Sequence, residues 1–215
     1  MEPSSGDPKT QRTREQVQLH RFGTSHQRKG SRGQTLVEFA VVFPLFWLVL
    51  VGLIEFSFAF QSVLSVSFAS RNAAVIAAEA GASPTGDCSI LRSVEGDVGA
   101  PSSAGQIQTV DIYWTDSNGA VKANATTTYT RSTSSTIACK VNNVAFTVPY
   151  VKTTDLYPMA SRCATRSGCA GHLGVDTVGI SIAYTYIYHT PYGALMGGSG
   201  WTMIRASEMR MEPFQ

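Results

Sequence analysis

The chain opens with a polar stretch that has no hydrophobic periodicity, turns into an almost unbroken apolar run at Leu36, and keeps that run to Phe60. Over these 25 residues only Glu38, Glu55, Ser57 and a few small or proline positions interrupt a background of Val, Leu, Ile, Phe and Trp. The run makes roughly 37 Å of helix at the α-helical rise, enough for a hydrocarbon core of about 30 Å. It predicts a single transmembrane helix, the alternative being a buried helix of a soluble protein, which is rarely so uniformly apolar. Pro44, in the first turns, removes a backbone hydrogen bond and predicts a local kink.

After Phe60 the pattern shifts to small residues. Ala69, Ala73 and Ala77 recur at four-residue spacing, led by Ala59, Val63 and Val66, while Arg71, Asn72 and Glu79 lie elsewhere. Such a stripe permits close contact with this chain's own sheet or with another subunit's helix. Glycine followed by proline at residues 81–84 ends the helix. Beyond Pro84 the period becomes two. Residues 107–114 read as a strand, 116–119 as a turn, 120–130 as a polar returning strand and 144–148 as a short third. In residues 175–189, Val178, Ile180, Ile182, Tyr184, Tyr186 and Tyr188 face one way, which predicts the central strand of an antiparallel sheet with one buried face. Residues 201–207 form a last candidate. The fold class is α+β: a long N-terminal transmembrane helix continuing into an exported antiparallel sheet domain. Its divisions are a disordered cytoplasmic leader (1–33), a transmembrane and extended helix (34–81) and the exported domain (82–215).

Charge orients the helix. Residues 1–33 carry seven Lys/Arg against three acids, and the next basic residue after them is Arg71. An excess of positive charge on one flank places that flank in the cytoplasm and the C-terminal bulk outside. The leader has too few apolar side chains to offset the entropy of ordering it. The net charge of +2 becomes −2 without it, because 17 − 7 leaves ten bases and 15 − 3 leaves twelve acids. No basic surface for nucleic acid is predicted.

Cys88, Cys139, Cys163 and Cys169 all fall in the part assigned outside, where thiols oxidise. Cys163 and Cys169 close a short loop containing Gly168, which favours pairing them and pairing Cys88 with Cys139, although four cysteines permit three connectivities. A zinc site lacks the Cys-x-x-Cys knuckle, and only His172 and His189 accompany the cysteines. Catalysis has little support: residues 197–201 depart from the nucleophile elbow at Trp201, and no phosphate loop or metal-spaced cluster is present. The reading is of a protein that is not an enzyme and needs no cofactor. Ser/Thr-rich residues 124–128 and 132–135 are candidates for an exposed contact surface or, more plainly, solvated edges.

Glu38 requires a partner or solvent, since an acid at the centre of a membrane span costs about 2.5–3.5 kcal/mol and less near its ends. A chain cut between Gly33 and Gln34 would carry a new amine about one helical turn away, and a neighbouring copy's amine would serve equally. Simple solvation at the membrane edge is the other reading. Gly33, four intervening residues, then Glu38 and Phe39 and a long apolar helix resemble the processing and assembly signature of type IV pilin-like proteins. With Pro44 and Glu55 in register, the stretch is similar to the TadE-like minor pilins, or pseudopilins, of tight-adherence (Tad/Flp) pilus systems. Residues 69–74 and the terminal residues 210–213 fit the same habit. The pair Glu38 and Phe39, in place of the Glu-Tyr of the major subunit, points to a minor component.

The resemblance implies cleavage at Gly33 and Gln34 by a prepilin peptidase, with Glu38, Phe39, Pro44 and Glu55 serving assembly. It further implies major and minor pilins and an inner-membrane pilus assembly platform as partners, and a bacterial single-pass membrane protein that takes part in building a pilus for surface attachment. The different class to set against it is a stand-alone bitopic membrane-anchored surface binding protein or adhesin.

Overall fold

The computed structural model describes residues 31–211 apart from residues 117, 166, 170 and 173. The leader expected over residues 1–33 lies, up to residue 30, outside the described residues, as do Glu212 and Pro213. The chain divides into two compact units, Met1–Pro44 and Leu45–Gln215.

Helix α1 is assigned over Ser31–Ala80, contains Pro44 without ending there, and is long and apolar enough to cross a membrane. In the first unit, every side chain from Gly33 to Pro44 is exposed. In the second, α1 stops at Ala80 because Gly81 takes a left-handed conformation, φ +54°, and closes the helix through its N–H to the Ala77 carbonyl.

The sequence reading expected only strands past Pro84, and here the structure corrects it. Helix α2, Gly86–Asp97, follows immediately and buries Ile90, Leu91 and Val94 on one face. Strands β1 (Ile107–Thr115), β2 (Val121–Arg131), β3 (Ile137–Val141), β4 (Val144–Val148), β5 (Tyr150–Asp155), β6 (Thr177–Ile187) and β7 (Gly200–Arg210) follow, with the short helix α3 (Tyr192–Met196) between the last two. Five strands form one antiparallel sheet in the order β5-β2-β1-β6-β7. The central strand is therefore β1, and β6 lies beside it. The expected third strand, β4, joins no main-sheet neighbour and pairs with β3 in a separate hairpin. Asn142 and Asn143 hold φ of 50° and 64° at its turn, the left-handed pair that a two-residue hairpin of matching twist needs.

The core lies between one face of this sheet and the helices. Val178, Ile180, Ile182, Tyr184 and Tyr186 of β6 and Val110 and Ile112 of β1 are buried, as are Val66, Ala69, Ala73, Ala74, Ala77 and Ala78 of α1. The alanine stripe thus packs within the chain. Ser70 Oγ lies 3.0 Å from Ser207 Oγ of β7, and Asn72 Nδ2 donates to Asp97 Oδ2 of α2 at 2.7 Å, so α1 is fixed to both layers. The Ser/Thr run of residues 124–128 sits in β2 between β1 and β5, with Thr127 fully buried.

Candidate assembly surface

In the first unit, Gly33 has open space where a side chain would stand. The bond between Gly33 and Gln34 lies in the first turn of α1, so a peptidase needs that turn unwound. Glu38, one turn on, accepts a hydrogen bond from Gln34 Nε2 at 3.1 Å. The Phe39 and Phe43 rings lie tilted against each other with centroids 5.2 Å apart. Gln34, Glu38, Phe39 and Pro44 are all exposed, an arrangement that leaves their faces available to a neighbour or to lipid.

The second unit has an apolar surface of its own along its part of α1. Its exposed side chains include Leu45, Phe46, Leu48, Val49, Leu53 and Ile54. A ridge then follows at four-residue steps: Phe56, Phe60, Leu64 and Phe68, exposed by 68, 55, 53 and 61%. Residues four apart share one helix face. On the opposite side at the same level, Glu55, Ser62, Val66 and Ala69 are buried. One helix therefore carries an inward stripe for its own sheet and an outward stripe of large apolar side chains.

Glu55, which the sequence marked for assembly, has its partners within the chain. It is 4% exposed and accepts the Tyr186 hydroxyl, the His189 N–H at 3.1 Å and the Thr190 N–H at 2.8 Å. One carboxyl oxygen takes Tyr186 at the end of β6 and His189, the other takes Thr190 in the segment that follows, so Glu55 anchors this end of the sheet to α1.

The cysteines join as Cys88–Cys139 and Cys163–Cys169. The first ties α2 to the β3–β4 hairpin, and the second closes the loop that leads into β6. Near them lie charged groups that the sequence reading missed, because their partners are distant in sequence. Arg162, buried with Asp87, places Nη2 2.7 Å from Asp87 Oδ1. Asp87 Oδ2 accepts the Tyr129 hydroxyl at 2.5 Å. Asp176 accepts the Tyr157 hydroxyl at 2.7 Å and the Cys163 N–H at 2.9 Å, and lies 2.5 Å from His172 Nδ1. Burial raises the tyrosine pKa at Tyr129 and Tyr157, and their carboxylate neighbours push it further.

Trp114 stacks on His172 at 4.2 Å and carries Lys122 over its ring at 4.3 Å. With Asp116, Asp176 and Arg210 these side chains line an open polar cavity of about 570 Å³. The Ala120 and Asn118 N–H groups hold the Asp116 carboxyl below the ordinary carboxylate range. At the opposite end of β6, an apolar groove of about 530 Å³ runs between α1 and the residues around α3.

Residues 33–75 match the family model described as TadE-like protein. That segment contains Gly33, Glu38, Phe39, Pro44 and Glu55 together with the whole exposed ridge. No curated protein and no solved structure matches the chain.

Proposed function

We propose that this chain, TadE-like over residues 33–75, is a minor pilin or pseudopilin that takes part in assembling a Tad-type pilus used in surface attachment. The observation that carries the reading is the outer half of the ridge, Leu64 and Phe68, exposed by 53 and 61% beyond the end of the apolar run at Phe60. A helix that only anchors a domain needs apolar side chains across the bilayer and gains nothing from large exposed apolar side chains past it, alongside its own folded sheet. A helix that packs against other subunits needs them there, because burying each one on assembly contributes about 1.5–3 kcal/mol.

In this reading the role is structural and not catalytic. The N-terminus lies in the cytoplasm, α1 spans the membrane and the sheet domain lies outside. A prepilin peptidase cuts between Gly33 and Gln34, and the new amine offers Glu38 a cationic partner in this or a neighbouring copy. The other partners are major and minor pilins and the inner-membrane assembly platform.

N-terminal sequencing of the protein recovered from its native membrane tests the cut: a chain beginning at Gln34 supports it, and a retained leader removes it. Glu38→Ala and Leu64→Asp/Phe68→Asp test assembly. Both are expected to reach the membrane and to lose pilus association, the second without loss of domain stability because both side chains are exposed. Unimpaired pilus association by both variants would sink the assembly reading.

One observation favours a second reading, a bitopic surface binding protein: the polar cavity around Trp114, Lys122, His172 and Arg210 has the convergent polar groups of a ligand site. Variants at Glu38 would then leave its activity unchanged.

A further inference from the structure

Charge is unevenly distributed along the sheet domain. Between Asp176 and Arg205 the sequence contains no Asp, Glu, Lys or Arg. Strands β6 and β7 pair along this stretch from Thr177 and Arg210 at one end to Ile187 and Gly200 at the other, about 33 Å of strand. The first end holds the polar cavity, with Asp116, Lys122, His172, Asp176 and Arg210. The second presents Ile187, Leu195, Met196 and Trp201 to solvent, Leu195 and Met196 at 67 and 61% exposure. The domain is thus polar at one end of its strands and apolar at the other.

The apolar end faces α1 at a defined level. The groove between them is walled by Tyr186, Tyr188, Met196 and Trp201 on one side, and on the other by a single helix face that begins at Val49. Val49 stands 11 residues before the end of the apolar run at Phe60, about 16 Å along the helix. A membrane span that uses the run to its end therefore carries the wall of the groove, and the residues facing it, into the outer leaflet. Around α3 the chain has aromatic and aliphatic side chains, several glycines and no formal charge, the composition that settles where hydrocarbon meets headgroups. In the turn at residues 197–199 the Gly197 and Gly198 N–H groups are held by the Gly193 carbonyl and the Ser199 carbonyl by the Tyr188 N–H, and at the interface the turn's other backbone groups meet water or headgroups.

We propose that residues 187–201 form a second membrane contact, seated in the outer-leaflet interface beside the α1 span, with lipid acyl chain filling the groove. The inference rests on the reading of α1 as a membrane span. It gives the domain two attachments to the bilayer and holds the long axis of its sheet upright, with the polar cavity farthest from the lipid.

The three tryptophans supply the test. The full chain is placed in vesicles of equal parts phosphatidylcholine and phosphatidylglycerol, with or without phosphatidylcholine brominated either near the headgroup end of its chains, the depth expected for Trp201, or near their methyl end, the depth of Trp47 at the middle of the run. Trp47→Phe, Trp201→Phe and the double variant are compared. The difference between Trp47→Phe and the double variant isolates Trp201, and that between Trp201→Phe and the double variant isolates Trp47. The Trp201 emission is expected to lose about half its intensity to the bromines, and Leu195→Glu/Met196→Glu is expected to restore it while Trp47 stays quenched. Quenching of Trp47 without quenching of Trp201 overturns the second contact and leaves the span intact. If Trp201 is then also shielded from aqueous acrylamide, another copy of the chain covers the groove. Quenching of neither removes the span and, with it, the proposal.

Discussion

Thr190 donates its backbone N–H to Oε2 of Glu55 at 2.8 Å, across 135 residues of chain. With the His189 N–H and the Tyr186 hydroxyl on the other oxygen, this makes Glu55 a polar clasp between the last third of the protein and its first helix, besides the contact of Ser70 with Ser207. Replacing Glu55 by Ala orphans two backbone donors and a tyrosine hydroxyl. It is expected to lower unfolding stability by about 3 kcal/mol, with Glu55→Gln less damaging because it still accepts. Denaturant unfolding of the full chain in detergent checks this. An unchanged midpoint with lost assembly would move Glu55 from docking the sheet to contacting other subunits.

Arg162 and Asp87 form a buried pair whose loss is asymmetric. Removing one partner leaves a charge without compensation, so Arg162→Ala or Asp87→Asn is expected to cost about 3–5 kcal/mol, whereas replacing both by apolar residues of similar volume costs much less. Urea unfolding of the two single variants and the double variant separates these terms. Equal losses in all three would mean that the pair acts only through packing volume.

Alkaline pH is expected to unfold the domain cooperatively. Burial, then a carboxylate neighbour, raises the pKa of Tyr129 beside Asp87, Tyr150 beside Glu95 and Tyr157 beside Asp176, and Tyr113 is pushed up to about 12 by burial and Glu208. These hydroxyls stay protonated in the folded state where the unfolded chain ionises, from about pH 10. Their contribution is therefore complete below about pH 10 and declines as pH rises toward the folded values. Absorbance of tyrosinate against pH should show these four ionising together with loss of circular dichroism. Gradual ionisation of all of them in a domain that stays folded would contradict the burial.

The two disulfides are expected to differ in worth. Cys88 and Cys139 are 51 residues apart and Cys163 and Cys169 only 6. On the chain-entropy account, the first restricts the unfolded chain by about 4 kcal/mol and the second by about 2 kcal/mol. Paired alanine variants compared by denaturant midpoint check the order. A larger loss from the short loop would show that its role lies in holding the Asp176 cluster in place.

Much of this was legible in the residues, for identifiable reasons. The apolar run, the alanine stripe ending at Gly81, and the alternation in β1, β6 and β7 are periodic signals that need no partner to be read. The cysteine pairing followed from loop length. Helix α2 escaped because its apolar face is short, Ile90, Leu91 and Val94, amid Gly, Ser and Asp that suit turns equally well; its one signal was the spacing of those three. Strand β5, with the polar sequence of residues 151–155, carries no alternation because it is a sheet edge with little to bury. β1 displaced β6 from the centre because strand order depends on pairings over 60 residues apart, to which a local pattern is blind. For the same reason the pairs Arg162 with Asp87 and Glu55 with Thr190 could not be anticipated.

The clasp at Glu55 also sets a timetable. Its donors lie at positions 186, 189 and 190 of a 215-residue chain, and β6 must also arrive before β1 and β7 can both be flanked. During synthesis the alanine face of α1 emerges about a hundred residues ahead of β6 and β7, the strands that complete the sheet over it. A chain interrupted before Thr177 has only α2 and β1 with which to cover that face in part, so an unfinished copy differs from a finished one and offers surveillance proteases a target.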